Sequence, residues 1–409
     1  MISVAGNRVS LLHDGEACFT AMLDAIHGAR QEILLEMYWF GSDHTGQRFA
    51  SSLAARAKEG LRVLITYDAI GSWDANRSMF QALRAAGCEL YEFNPPRHLF
   101  RALQLNLMQR RNHRKMLIID GTIGLTGGVN LGDPWAPKDQ GGGGFRDDMV
   151  RLEGPVVAEM RHIFLQTFNQ ASQGPLTDLR DSLKQRRPLL QSTVRFRNAR
   201  RKPRRTGRGR LLSLRARRRR NSPPFFLEGS IGVLTNQGIR KRRIIELAYL
   251  QAIRNAQHSI LIANSYFIPR RAVRNALADA AKRGVRVTVL LPGVSDVPAA
   301  AFAARWLYNW HMRAGIELFE WQASILHSKV AVVDDRWCTI GTHNLDYRSF
   351  LYNLEVNVVA VAPDLATQLA ARIRADMALA TRVRWASWQR RPLTNRFLEY
   401  LCYRFRRLL

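Results

Sequence analysis

Apolar runs recur along this chain in two matching series. ILLEMYWF (33–40), RVLITYD (62–68), SILIANSYF (259–267) and RVTVLL (286–291) are mostly continuous apolar stretches. Runs of this length and character predict strands buried on both faces. Between them lie segments such as LAARAKEG (53–60) and LADAAKRG (277–284), whose apolar positions recur at helical spacing. They predict helices over 50–59 and 273–283 that end at Gly60 and Gly284, because glycine accepts the left-handed conformation that closes a helix.

The two series run in the same order. LDAIHGARQEILLEMYWF is echoed by LQAIRNAQHSILIANSYFI, LAARAKEGLRVLITYD by LADAAKRGVRVTVLLP, and LRAAGCELYEF by MRAGIELFEW. Each half reads helix, strand, helix, strand, helix, strand, then one further strand. The period of about 200 residues is far longer than a solenoid repeat, so the chain reads as a duplicated domain. Strands alternating with helices predict an α/β layered fold with a mostly parallel mixed sheet, flanked by helices, in each half. The expected units are 1–182 and 229–385, joined by an Arg-rich linker at 183–228 and followed by a basic amphipathic segment at 386–409.

The last strand of each half carries the same polar constellation. HRKMLIIDGTIGLTGGVN (113–130) and HSKVAVVDDRWCTIGTHN (327–344) align His113, Lys115, Asp120, Gly127 and Asn130 with His327, Lys329, Asp334, Gly341 and Asn344. Residues i and i+2 of a strand share a face, so each His lies beside its Lys. Two such strands side by side place two imidazoles and two ammoniums in one pocket. Lys115, Lys329 and the carboxamides of Asn130 and Asn344 are donors suited to phosphate oxygens. One neutral imidazole can attack phosphorus while the other, protonated, serves the leaving oxygen, which splits the reaction through a phosphohistidine. Asp120 and Asp334 lie seven residues beyond their histidines, about 23 Å along an extended strand at about 3.3 Å per residue. Reach therefore assigns them to the turn after the strand. Asp147 and Glu355, each at the head of a later strand of its half, are the better carboxylates to hold the imidazoles.

These repeated residues resemble the HKD motif of the phospholipase D superfamily. The resemblance implies two tandem phospholipase D-like domains with the active site between them. It also implies a metal-free, cofactor-free mechanism and a catalytic set of His113, Lys115, Asp120, His327, Lys329 and Asp334, with His113 as nucleophile and His327 as acid. GTHNLDYRSFLYNLEVN (341–357) is similar to a signature of bacterial cardiolipin synthases at Asp346, Arg348, Ser349, Asn353, Glu355 and Asn357. NSYFIP (264–269) and EMYWF (36–40) resemble further stretches of that family, and the likeness runs from about residue 8 to 385. Short length without an N-terminal transmembrane hairpin resembles the B-type synthase. The activity implied is phosphatidyl transfer, with cardiolipin formed from two phosphatidylglycerols and glycerol released. Water in place of the second alcohol would make the enzyme a phospholipase D. A nuclease of the same superfamily and a noncatalytic lipid-binding scaffold are the other classes; small nucleases usually carry one motif per chain, and two complete motifs argue against a scaffold.

Charge refines the picture. The net charge of +29 is concentrated between Leu183 and Arg220, a stretch rich in Arg and Lys that is expected to be disordered when unbound. It reads either as a solvated linker or as a polyanion-binding surface. After Pro392, Phe397, Leu398, Leu401, Phe405 and Leu408 recur at helical spacing between arginines, which reads as an interfacial membrane helix or as a terminal helix packed on its domain. Together these favour an anionic membrane over nucleic acid as the partner of the basic segments. No signal peptide and no apolar run of about 18 residues is evident. The four scattered cysteines read as free thiols. The expected location is the cytoplasmic side of a bacterial inner membrane, held peripherally.

Overall fold

The computed structural model describes residues 1–95, 110–172, 227–237 and 243–407. Most of the expected Arg-rich linker, and Leu408, lie outside the described residues. The first half contains β1 (Ile2–Val4), β2 (Asn7–His13), α1 (Asp14–His27), β3 (Glu32–Met37), α2 (His44–Lys58), β4 (Arg62–Asp68), α3 (Arg77–Ala85), β5 (Glu89–Phe93), β6 (Met116–Ile119), β7 (Ile123–Gly127), β8 (Asp148–Glu153) and α4 (Val156–Ser172). The second contains β9 (Ser230–Thr235), α5 (Ile244–Asn255), β10 (Ser259–Asn264), α6 (Arg271–Lys282), β11 (Arg286–Pro292), α7 (Pro298–Trp306), α8 (Tyr308–Arg313), β12 (Glu317–Trp321), β13 (Lys329–Val333), β14 (Trp337–Gly341), α9 (Tyr347–Leu351), β15 (Val356–Val361) and α10 (Pro363–Leu379). The chain then adds β16 (Thr381–Arg382), α11 (Trp385–Gln389) and α12 (Leu393–Arg404).

Each half is an eight-stranded sheet with flanking helices. The strand orders are β1-β2-β8-β7-β6-β3-β4-β5 and β16-β12-β11-β10-β13-β14-β15-β9. Within them β2-β8-β7-β6-β3-β4-β5 and β9-β15-β14-β13-β10-β11-β12 correspond. Every residue of β3 is buried, as is all but the first of β4 and β11, matching their apolar runs. The sheets are mixed, as expected, but antiparallel rather than parallel pairs predominate in each. Parallel pairing is confined to β3–β4–β5 and β10–β11–β12. There the helices supply the long crossovers that parallel strands need. The motif strands instead turn directly into β7 and β14, and such short turns join antiparallel neighbours.

One apolar core is shared by both halves. Leu34, Met116 and Ile118 of the first sheet and Phe164 of α4 pack in the same cluster as Val330, Val332 and Val358 of the second and Leu369 of α10. A separate outer core lies under the helices of each half. Each sheet is thus covered on both faces, and the inner faces set the two motif strands toward one another. The repeated glycines fit this packing. A Cβ at Gly127 would sit 2.2 Å from the Asp148 carbonyl oxygen, and one at Gly341 would sit 2.3 Å from that of Val356.

Asp120 and Asp334 occupy the turns at the far ends of the motif strands, with φ of 51° and 53°. The Asp120 carboxylate accepts from the backbone N–H groups of Arg30, Gln31 and Glu32 at 2.8, 2.8 and 2.9 Å. Asp334 accepts likewise from Gln257, His258 and Ser259 at 2.8, 2.8 and 2.9 Å. Each aspartate therefore fixes the entry of the neighbouring central strand. Asp120→Ala and Asp334→Ala should each lower unfolding stability by about 1–3 kcal/mol, the usual cost of stranding donors that had an ionised acceptor. Turnover per folded molecule should stay unchanged. Urea unfolding midpoints alongside kcat check this, and a loss of kcat at constant stability would return both residues to the chemistry.

Candidate active site

The motif histidines sit just ahead of β6 and β13, where the backbone leaves its own sheet and bonds to the other half. Asn112 pairs with Leu354 in a parallel bridge. The His113 N–H donates to the Leu354 carbonyl at 3.0 Å, and the Leu354 N–H donates to that of Arg111 at 2.8 Å. In the second motif the Arg146 N–H donates to Ile325 O at 2.9 Å, and the His327 N–H donates to Arg146 O at 2.8 Å. Each histidine backbone is thus pinned by the opposite half.

The side chains follow the same crossing. His113 Nδ1 lies 3.1 Å from Glu355 Oε2, and His327 Nδ1 lies 2.7 Å from Asp147 Oδ2. Asp147 and Glu355 were expected beside the motif strand of their own half, and here the structure corrects the pairing. Within its sheet β8 is separated from β6 by β7, and β15 from β13 by β14, so same-half partners would stand two strands, about 10 Å, apart. The facing of the two halves brings Asp147 to the second motif and Glu355 to the first. An Nδ1–H donated to carboxylate leaves Nε2 with the lone pair.

Both carboxylates are fully buried and held by further donors. Glu355 accepts from Ser349 Oγ at 2.7 Å, from Thr342 Oγ1 and from Asn353 Nδ2 at 3.4 Å. Ser349 is placed by Asp346, which caps α9 by accepting from the Ser349 N–H at 2.7 Å. Asp346, Ser349 and Asn353 of the signature therefore build one cradle around Glu355. Asp147 accepts from Trp135 Nε1 at 2.9 Å and from the Asp148 N–H at 2.9 Å. The Trp135 ring stands edge-on to His327 at 5.1 Å, and the Tyr38 ring does so to His113 at 4.9 Å.

Lys115 Nζ donates to His113 O at 2.9 Å and lies 4.9 Å from the centre of the Tyr38 ring. Lys329 Nζ donates to Ser265 Oγ at 2.9 Å and to the His327 carbonyl. The Asn130 carboxamide oxygen accepts from the Trp39 N–H at 3.2 Å, and that of Asn344 accepts from Ser265 Oγ at 2.8 Å. The oxygen of each amide is committed to the protein, and the nitrogen is the end left for a ligand. Asp120 and Asp334, implied as part of the catalytic set, stand outside this pocket because four- and five-residue strands separate them from it. Among the described residues no group of three or more His, Cys, Asp or Glu is arranged to hold a metal ion.

Burial dominates the electrostatics. It lowers the His113 pKa to about 4 against the pull of Glu355, and it lowers that of His327 well below the usual value. Lys115 is lowered to about 7 and Lys329 to about 8, by burial and, for Lys115, by the charge of Lys329. Burial raises Asp147 to about 6. Glu355 is also buried, but His113 and its hydroxyl donors bring it down to about 2.

Sequence reasoning missed several residues that hold this site. Arg114 is fully buried; it donates to Thr167 Oγ1 at 2.8 Å, to Thr235 and to the Glu355 carbonyl, with Glu36 3.6 Å away. Arg146 spans the halves, bonding Asp148 at 3.0 Å and Asp376 of α10 at 2.7 Å. Tyr266 faces His327 at 6.5 Å and donates its hydroxyl to Asp296 at 2.7 Å. Its signal was available: Trp39 and Tyr266 fall at matching places in the two repeats, and Trp39 Nε1 donates to Asp74 at 3.1 Å. Arg114 and the Arg146–Asp376 contact gave no such signal, since those partners are remote in sequence.

Comparison with known proteins agrees with this geometry. Residues 22–137 and 249–377 match the family model described as cardiolipin synthase, PLD-like domain. The cardiolipin synthase of Geobacillus thermodenitrificans (strain NG80-2) is 32% identical over 396 residues, covering 96% of this chain and 70% of that protein. Cardiolipin synthase 1 of Bacillus anthracis is 30% identical over 389 residues, covering 95% and 70%. The crystal structure of phosphatidylserine synthase from Haemophilus influenzae Rd KW20 shares the fold, with a TM-score of 0.69 at 15% identity over 98% of this chain and 95% of that one. Two crossed His-x-Lys motifs on this fold define an enzyme of the phospholipase D superfamily. Within that superfamily, the chain belongs to the cardiolipin synthase family.

Two outcomes are expected. Glu355→Gln and Asp147→Asn should each lower kcat at least about 100-fold while leaving the fold intact, the scale of losing a positioned acid or base. Steady-state kinetics with circular dichroism checks this. On the pH axis, each lysine is cationic below its pKa and neutral above it. With Lys115 near 7 and Lys329 near 8, kcat/KM toward a monomeric phosphodiester should fall as pH rises through about 7 to 8. Acidification should not protonate His113 until about pH 4. Lys329→Arg, which keeps its charge, should move the alkaline limb upward; an unmoved limb would show that another group sets it.

Proposed function

We propose that this enzyme is a phosphatidyltransferase that makes cardiolipin from two phosphatidylglycerol molecules, releasing glycerol. The observation that carries the reading is the pair of crossed histidine–carboxylate contacts closing one buried pocket with two lysines. His113 Nε2 attacks the phosphodiester phosphorus and the bond to the headgroup glycerol oxygen breaks. Protonated His327 gives its proton to that oxygen, and glycerol leaves. Neutral His327 then takes the proton of a hydroxyl on the second phosphatidylglycerol. That oxygen attacks phosphorus, the P–N bond breaks, and His113 is restored. Lys115, Lys329 and the amide nitrogens of Asn130 and Asn344 balance charge on the non-bridging oxygens. The firmly ionised Glu355 favours His113 as nucleophile, because it supports the positive charge that the imidazole acquires on attack. Asp120 and Asp334 take no part in these steps.

The substrates are those of the family's name, carried over as a proposal. Membrane lipid as substrate also argues for action at the cytoplasmic face of a bacterial inner membrane. No described helix is long and apolar enough to cross a bilayer.

Labelled phosphatidylglycerol vesicles, with DNA as a parallel substrate, test the reading. Cardiolipin and glycerol should form, and His113→Ala and His327→Ala should each reduce turnover by at least about 100-fold. With the label on phosphorus, quenching in detergent at alkaline pH, where the P–N bond survives, should trap label on the peptide that contains His113. Label on the His327 peptide would reverse the two roles. Phosphatidic acid without cardiolipin would make the enzyme a hydrolase, and DNA cleavage without lipid turnover would make it a nuclease.

A further inference from the structure

Many of the large apolar side chains that the described surface exposes lie on α12 and on the loops 69–76 and 293–297. α12 packs on α7 with one face: the Trp306 ring lies 5.2 Å from Tyr400 and 6.3 Å from Tyr403, and Arg274 donates to the Tyr403 hydroxyl at 3.2 Å. Away from α7, Leu393, Phe397, Leu401 and the C-cap residue Phe405 are exposed by 77, 63, 41 and 56%. They recur every fourth residue and so form one line along the helix. Arg390, Arg404 and Arg407 are exposed around this line. Glu399 is the single acid after Asp376; it is buried and clamped by Arg391 at 2.7 Å. The exposed face is therefore apolar and cationic, with no acid of its own.

This face runs up to the active site. Beyond the helix, the Arg406 guanidinium lies over the Tyr347 ring at 5.2 Å, and Tyr347 opens α9, whose Ser349 holds Glu355. α7 itself follows the loop 293–297, where Val294 and Val297 are exposed and Asp296 accepts from the hydroxyl of Tyr266 beside His327. The corresponding loop of the first half, 69–76, exposes Ile70 and Trp73, the latter by 81%. That loop is tied to the site strand by the Trp39–Asp74 bond and by the Phe40 N–H, which donates to Ser72 Oγ at 3.0 Å.

We propose that the stripe on α12 and the loops 69–76 and 293–297 form one docking surface for a bilayer containing anionic phospholipid, with the active-site mouth turned toward the membrane. The inference rests on the lipid-substrate reading above. Its physical basis is independent of the chemistry: apolar side chains enter the interface while arginines meet anionic headgroups. The loops' apolar residues stand in both halves at matching places, so they flank the mouth from either side. A lipid could then present its phosphodiester to the histidines while its acyl chains stay in the bilayer.

The test uses the full chain, with Phe397→Glu/Leu401→Glu as one variant and Trp73→Glu as another. All three positions are exposed, and circular dichroism confirms folding. Binding is read by cosedimentation with vesicles of phosphatidylcholine alone or with about a quarter phosphatidylglycerol, at low and high salt. The unaltered chain should bind the anionic vesicles, more weakly in high salt. The helix variant should lose at least about tenfold in apparent affinity, Trp73→Glu a smaller amount, and both should keep the normal rate on a short-chain monomeric phosphodiester. Unchanged vesicle binding by both variants would overturn the proposal. So would a dimer of the unaltered chain that the helix variant dissociates without loss of vesicle binding, since the stripe would then face a second copy. Variant-sensitive vesicle binding without phosphatidylglycerol turnover would support the surface and refute only the transferase reading.

Discussion

Neither half of this protein owns a complete catalytic group. Each motif histidine takes its backbone partner and its carboxylate from the other half, so the site exists only where the two sheets face each other. This crossing constrains much else. It requires the inner faces of both sheets to share one core, and it requires the segments before β6 and β13 to run out of their own sheets. It also gives a physical reason why one motif would be useless alone: its imidazole would lack the group that fixes the Nδ1 proton.

Buried charge reinforces the crossing. Arg114 and Arg146 are each adjacent to a motif histidine in the chain or in the hydrogen-bond ladder, and each is nearly inaccessible. A buried guanidinium is costly unless its donors are satisfied, and removing one partner costs about 3–5 kcal/mol. Arg146 meets this demand with Asp14, Asp148 and the Asp147 carbonyl of its own half and with Asp376 of the other. Arg114 does so with Thr167 of α4 and Thr235 of β9. A sliding of one half against the other would strand both charges at once. The contribution of these networks lies in register: apolar packing alone would tolerate small shifts that a hydrogen-bonded guanidinium does not.

The duplicated order of elements, the central strands and the two His-x-Lys pairs were legible in the chain, because apolar runs and repeated polar spacing are local patterns. Strand reach was also legible, and it separated Asp120 and Asp334 from the histidines that name their motif. The exchange of Asp147 and Glu355 between halves was not, because sequence order assigns a strand to its own sheet and says nothing of how two sheets face. The predominance of antiparallel pairs within the mixed sheets escaped for a related reason: alternating helices and strands signal crossovers, whereas the antiparallel part depends on short turns after the motif strand. Ser349 and Asn353 were visible as matches to a pattern, but their common purpose appears only when Glu355 stands between them.

Burial sets the protonation of the pocket. Burial pushes both histidines toward neutrality and lowers both lysines, and the charge of Lys329 lowers Lys115 further. A phosphodiester brings the missing negative charge, so its arrival must raise the proton affinity of every one of these groups. Binding and protonation are then linked: an anionic diester in the pocket supplies a field that favours charged lysines and a charged imidazole. In the proposed mechanism the same coupling would act after attack, since a phosphohistidine would retain the diester's negative charge and favour protonated lysines until the second alcohol arrived. Glu355 and Asp147 differ in how firmly they stay ionised. That difference breaks the near-symmetry of the two histidines, and under the proposed mechanism it would suit one to hold the covalent bond while the other moves protons.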